Sequence, residues 1–76
     1  MTINSSKLLK RFGEAVRAER TRLKMSQEGL ALESGLSRTY AGEIERGEKA
    51  VSIETIVRIA SALNMTGAEL LAKAQL

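Results

Sequence analysis

The sequence contains no cysteine, histidine, aspartate, proline or tryptophan, and these absences exclude several kinds of chemistry. Without cysteine there are no disulfides, and without cysteine or histidine there is neither a zinc site of the usual type nor Cys- or His-based catalysis. The acidic side chains are nine glutamates, and no spaced set of glutamate, lysine, serine and tyrosine suggests a catalytic site. We therefore predict neither an enzyme nor a bound metal or cofactor.

Long apolar runs are also missing. No run approaches the roughly 20 residues of a membrane-spanning helix, and the N-terminus lacks a signal-peptide pattern, so we expect a cytoplasmic location. The 76 residues are predicted to form one domain, residues 1–76, because no repeat or linker divides them. A chain this short buries only about 60% of its unfolded surface, which favours a partner subunit.

Positive charge is in excess and unevenly placed. There are 12 lysines and arginines against nine glutamates, and the net charge is +3. Between Lys7 and Lys24, seven basic residues accompany two acidic ones. This balance suits a polyanionic partner, although a solvated helix face would carry the same charges.

Residues 26–46 have the pattern of two short helices joined by a tight turn. Ser26 is a suitable N-cap for the first helix, and Gly35 suits the left-handed position that ends it. Ser37 caps a second helix, which we predict to run from Arg38 to Arg46. This spacing is typical of a helix-turn-helix.

The outward face of the second helix is polar. At 100° per residue, the apolar positions fall on one side, and the outward side and its edges carry Arg38, Thr39, Tyr40, Gly42, Glu43 and Arg46. Such a face can read base edges in the major groove of DNA. The alternative is an ordinary solvated face of a small helical bundle.

The rest of the chain predicts three more helices and no strand, so the expected fold is all-α with five helices. A helix before these two should run from about Ser6 to Leu23, with Gly13 inside it, and residues 1–6 should be frayed. The fourth and fifth helices occupy residues 53–73; the fourth runs from Ile53 to Leu63, and Thr66 caps the fifth.

These residues resemble the helix-turn-helix of the lambda-repressor-like (Cro-like, Xre-type) family. The shared features are Ser26-Gln27-Glu28, Leu30-Ala31, Gly35-Leu36 and Ile44-Glu45-Arg46-Gly47, and the resemblance extends from about Leu9 to Leu71. Residues 36–40, followed by residues 44–47, are similar to controller proteins of restriction-modification systems. Gly29, and a connector without proline after Gly47, depart from the usual pattern.

The resemblance implies a sequence-specific transcription regulator. A controller protein binds its own promoter region as a dimer, activating at low concentration and repressing at high concentration. A phage or plasmid repressor, or an antitoxin that regulates its own operon, is the alternative within the same fold. A protein-interaction module that has lost DNA binding is the alternative from another class. The resemblance also implies an ion pair between Arg20 and Glu45.

The predicted interface with double-stranded DNA, a near-palindromic operator, divides into reading and positioning residues. The base-reading residues are Arg38, Thr39, Tyr40 and Glu43, although Tyr40 suits a half-buried core position equally well. The residues for the DNA backbone are Ser26, Gln27, Ser37, Arg46 and Lys49, because free amides at a helix N-terminus favour phosphate.

Two protein partners are also predicted. The homodimer surface comprises Val51, Ile53, Leu70 and Leu71, and the alternative is that these leucines belong to the monomer core. An exposed glutamate of the helix that follows Ser26, Glu28 or Glu33, is the candidate contact for RNA polymerase through its sigma subunit.

Overall fold

The computed structural model describes residues 3–76, which form five α-helices and no β-strand. The helices are α1 (Ser5–Arg22), α2 (Gln27–Ser34), α3 (Arg38–Glu45), α4 (Ile53–Ala62) and α5 (Gly67–Lys73). The all-α prediction is confirmed. Each predicted helix lies within a residue or two of an observed one.

Every helix begins at a side chain that accepts a hydrogen bond from its first turn. The hydroxyls of Ser26, Ser37 and Ser52 accept from the amide three residues further on, at 2.9, 3.1 and 3.1 Å. Thr66 and Glu69 cap α5 reciprocally, since each side chain accepts from the other residue's amide. The hydrogen bond from the Thr66 amide lowers the pKa of the Glu69 carboxyl.

The start of α1 differs from the prediction. The side chain of Asn4 accepts a hydrogen bond from the amide of Lys7 at 3.1 Å, and the helix begins at Ser5. This cap orders the chain earlier than the predicted fraying of residues 1–6 allows. Residues 1 and 2 of that prediction lie outside the described residues.

Left-handed residues turn the chain between helices. Gly35 and Gly47 both have φ of 71°, and Asn64 has φ of 60°. Glycine adopts this conformation without a clash from Cβ, and asparagine is among the few other residues that tolerate it. The turn at Gly35 is the tight turn predicted between the two central helices.

The core collects apolar residues from all five helices. Its largest fully buried side chains are Val16, Leu30, Ile44, Ile59, Leu63 and Leu70. The prediction that Leu70 forms a dimer surface is therefore wrong, because α5 packs against α4 and α1 and turns this side chain inward. Val51 and Leu71 are half-buried against the same core, and Ile53 is 81% exposed.

Gly13 allows α1 and α3 to approach closely. A Cβ on Gly13 would lie 2.6 Å from the carbonyl oxygen of Glu45, and it would also collide with the carbonyl oxygen of Ile44. Both neighbours are backbone atoms of the last turn of α3, so they move only if the helix moves. The glycine thus fixes the depth at which the end of α3 sits on α1.

Within residues 3–76, no helix has both the length and the apolar character needed to cross a bilayer.

Candidate nucleic-acid interface

A buried ion pair anchors the end of α3. Arg20 Nε donates to Glu45 Oε2 at 2.6 Å, and Arg20 Nη2 donates to Glu45 Oε1 at 3.0 Å. Arg20 Nη1 donates to the carbonyl of Met25, just before α2, at 2.9 Å. The hydrogen bond to Glu45 raises the pKa of the Arg20 guanidinium, and the predicted pair is present. One arginine therefore joins α1, α3 and the approach to α2.

Gln27 connects this buried pair to the surface. Its Nε2 donates to Glu45 Oε1 at 3.3 Å. Its other end covers Gly42, where an added Cβ would lie 3.3 Å from Gln27 Oε1 and 3.1 Å from Arg46 Nη1. Gly42 is thus buried, and its predicted place on the outward face is wrong. A helical wheel gives the direction of a residue but does not show that a neighbouring helix covers it.

One shallow depression brings several predicted interface residues together. It is lined by Gln27, Arg38, Thr39, Gly42 and Arg46. The side chains of Arg38, Thr39 and Arg46 are exposed around it. The first turn of α3 therefore lies next to the first turn of α2, where the amides of Gln27 and Glu28 have no partner within the helix. This arrangement offers donors to an anion and to base edges at once.

Both arginines of the depression have carboxylate neighbours. Arg38 Nη1 lies 2.8 Å from Glu28 Oε1, and the two side chains are 66% and 69% exposed. Arg46 Nε donates to Glu48 Oε2 at 2.9 Å, and this hydrogen bond lowers the pKa of Glu48 and raises that of Arg46. Sequence reasoning missed both pairs. The Arg38–Glu28 pair joins different helices, so no spacing within one helix indicates it.

Tyr40 belongs largely to the protein interior. Its ring is half-buried against the core, and its hydroxyl donates to the carbonyl of Ala50 at 3.2 Å. Of the two interpretations of this residue, the half-buried core aromatic fits the structure better. Tyr40 ties α3 to the loop that follows it.

The remaining predicted residues lie around the depression without lining it. Glu43 is half-buried on α3, and Lys49 is exposed in the loop before α4. Ser26 and Ser37 are exposed helix caps whose oxygens accept from the backbone. A hydroxyl that accepts in this way keeps its own hydrogen for donation. Both serines can therefore cap a helix and donate to a phosphate at the same time.

Two helices joined by a glycine turn, with an exposed polar edge on the second, define a helix-turn-helix DNA-binding protein. A family model described as helix-turn-helix matches residues 16–70. The chain therefore belongs to the helix-turn-helix family.

The relatives of this chain include several control proteins. Over 69 residues it is 45% identical to control protein C.BamHI of Bacillus amyloliquefaciens. The aligned residues make up 90% of this chain and 83% of the relative. Over 62 residues it is 44% identical to control protein C.SmaI of Serratia marcescens. These residues make up 82% of this chain and 74% of that relative. The crystal structure of the restriction-modification controller protein C.AhdI from Aeromonas hydrophila matches with a TM-score of 0.79 and 45% identity, covering 82% of this chain and 94% of that one. The predicted resemblance to controller proteins is confirmed, and the chain is a regulator of transcription that binds double-stranded DNA.

Proposed function

We propose that this protein is the controller of a restriction-modification system and that it binds the promoter region of its own gene as a homodimer. The observation that carries the proposal is the polar depression in which Arg38 and Thr39 lie beside the start of α2. The 45% identity to control protein C.BamHI supports the choice of a controller over other helix-turn-helix regulators. Its activity would be to activate at low concentration and repress at high concentration, in the cytoplasm.

Base recognition falls first to Arg38 and Thr39. The guanidinium of Arg38 can donate two hydrogen bonds to O6 and N7 of guanine, and Thr39 can contact the methyl group of thymine. Glu43 can accept a hydrogen bond from N4 of cytosine, but it is half-buried, so we rank it after Arg38 and Thr39 as a base-reading residue. Tyr40 could donate a hydrogen bond to a base only after giving up the one that its hydroxyl donates to Ala50. We therefore rank Tyr40 last of the four predicted readers.

The DNA backbone would be held on both sides of α3. At the start of α2, the amides of Gln27 and Glu28 and the helix dipole favour a phosphate, and the Gln27 side chain adds a donor. On the other side, Ser37, Arg46 and Lys49 supply donors. Arg46 would exchange Glu48 for a phosphate, and this exchange is cheap because both side chains are more than half exposed.

The dimer surface that we propose is the exposed face of α4. Ile53 and Val57 lie one helical turn apart and are 81% and 53% exposed, so they replace Leu70 in the predicted surface. Val51 and Leu71 lie in an apolar hollow with Ile56 and would contribute less. A two-fold dimer on DNA places its recognition helices about 34 Å apart, which matches a near-palindromic operator.

Sedimentation of two variants tests this surface. Ile53→Glu should shift the protein from dimer to monomer, because a charge at the interface would have to be buried. Ala18→Glu is the matched control, since it places the same charge at an exposed apolar residue of another helix, α1. Equal dimerisation of the two variants would contradict the proposed surface.

For activation, we propose that Glu33 contacts the sigma subunit of RNA polymerase. Glu28 and Glu33 are both exposed on α2, but Glu28 is already paired with Arg38. Glu33→Ala should keep operator affinity and lose activation in transcription with purified polymerase. Unchanged activation by Glu33→Ala would contradict this contact.

Transcription at increasing protein concentration tests the proposed function as a whole. The template carries the DNA upstream of the protein's own gene, and a template with that region scrambled is the control. Output that rises and then falls is the expected result. Output that only falls would favour the repressor or antitoxin alternative, and output that never changes would contradict a controller.

A further inference from the structure

We propose that Glu28 is a positioning residue for base recognition, which holds the guanidinium of Arg38 in the orientation that reads guanine. The inference rests on the proposed function, in which α3 reads DNA. The observation that carries it is the 2.8 Å contact between Arg38 Nη1 and Glu28 Oε1, which bridges the first turns of α3 and α2.

The contact leaves the reading capacity of Arg38 intact. Glu28 engages one terminal nitrogen, Nη1, and a guanidinium has five N–H donors in a fixed planar fork. Guanine needs only two of these donors, for O6 and N7. Arg38 can therefore keep Glu28 as a neighbour and still bind guanine with two hydrogen bonds.

Arg38 needs such a neighbour because little else restrains it. Its side chain is 66% exposed, and a free arginine side chain has many accessible rotamers. Ordering that side chain on a base costs entropy, and a contact that already restricts the rotamers lowers this cost. The effect is small, since an exposed ion pair is weak, and we expect it to amount to a factor of about two to five.

The position of Glu28 argues against a role in affinity. It lies in the first turn of α2, next to the amides proposed to bind a phosphate. A negative charge there opposes the DNA backbone, so Glu28 should weaken binding to any sequence. Because this carboxylate does not favour DNA affinity, the benefit that it can bring to DNA binding is better discrimination between base pairs. Stabilising the helix dipole is a second role open to it, but that role would not act on one base pair.

Base-pair discrimination tests the inference. The operator is located by footprinting in the DNA upstream of the gene, and binding is measured by fluorescence anisotropy on a set with every base pair substituted singly. Arg38→Ala identifies the base pair that Arg38 reads. Glu28→Ala should reduce discrimination at that same base pair about two- to fivefold and bind scrambled DNA at least as tightly as the original protein. Glu28→Gln should change discrimination in the same direction.

Two further variants show whether the effect is specific to the Glu28–Arg38 contact. Glu33→Ala removes an exposed glutamate from the same helix and should leave discrimination at that base pair unchanged. In the Arg38→Ala background, Glu28→Ala should have no further effect on discrimination at that base pair. Three results would overturn the inference. Glu28→Ala could leave discrimination at that base pair unchanged, or reduce it equally at every base pair. In the Arg38→Ala background, Glu28→Ala could reduce discrimination further. If the unaltered protein binds operator and scrambled DNA alike, the proposed function itself fails.

Discussion

Two arginine–glutamate pairs join the helices of this domain, and they differ chiefly in burial. The side chains of Arg20 and Glu45 are 15% and 3% exposed, whereas those of Arg38 and Glu28 are 66% and 69% exposed. A buried charge that loses its partner is strongly destabilising, while an exposed pair contributes little to stability. The same pair of residue types therefore fixes the structure at one place and contributes little to stability at the other.

The two pairs lie at opposite ends of α3, the helix that we propose to read DNA. Glu45 is the last residue of α3 and is held against α1, where Gly13 lets the helices meet. Arg38 is the first residue of α3 and faces the surface depression. The helix is thus anchored at its C-terminal end, and its N-terminal end, which we propose to read DNA, is exposed. Variants at the two ends should separate stability from DNA binding.

The largest expected effect comes from breaking the buried pair. Arg20→Met should lower the free energy of unfolding by about 3 kcal/mol, because it leaves the Glu45 carboxylate buried without its cation. Urea denaturation measures this change. Arg17→Met, at an exposed position of the same helix, should stay within about 0.5 kcal/mol of the original protein. Equal stability of the two variants would show that the buried pair does not anchor α3.

Breaking the exposed pair should weaken DNA binding and leave the free energy of unfolding nearly unchanged. Arg38→Ala should weaken binding to the operator by about 1–3 kcal/mol and relax the preference at one base pair, because it removes the donors for guanine. Its free energy of unfolding should change by no more than about 0.5 kcal/mol. Titration on operator and scrambled DNA, with urea denaturation in parallel, separates the two quantities. Unchanged preference would mean that the assigned register on DNA is wrong.

A smaller loss of stability is expected from closing the gap between α1 and α3. Gly13→Ala improves helix propensity by about 1 kcal/mol, but overpacking against backbone costs about 1–3 kcal/mol. We expect a net loss of about 1 kcal/mol, measured by urea denaturation. A gain in stability would mean that α3 can shift away from α1 freely, which would weaken the idea of an anchored end.

The smallest expected effect is on the salt dependence of DNA binding, and it comes from Lys49 in the loop before α4. Lys49→Ala should weaken binding to all DNA sequences alike and reduce the slope of log affinity against log salt by about one, because it removes one phosphate contact. Anisotropy at several salt concentrations measures the slope. A loss confined to the operator would instead make Lys49 a reading residue.

Local signals predicted most of this fold. The caps at Ser26, Ser37 and Thr66, and the left-handed turn at Gly35, act over three or four residues, so the sequence shows them directly. Leu70 and Gly42 were misplaced because their burial depends on other helices. Leu70 is covered when α5 packs on α4 and α1, and Gly42 is covered by Gln27 from α2.

The candidate site was harder to predict than the fold. The residue types of the reading edge were visible in the spacing after Ser37, but the partners of those residues were not. The contact between Arg38 and Glu28 depends on the orientation of two long side chains from different helices. The Arg20–Glu45 pair was anticipated through family resemblance, since the two residues lie 25 positions apart.

The most direct test of the central claim is the affinity of the unaltered protein for the DNA upstream of its own gene. Fluorescence anisotropy compares that DNA with scrambled DNA of equal length at several salt concentrations. We expect tighter binding to the upstream DNA, two protomers per site and a steep salt dependence. Equally weak binding to both DNAs would contradict an autoregulatory controller.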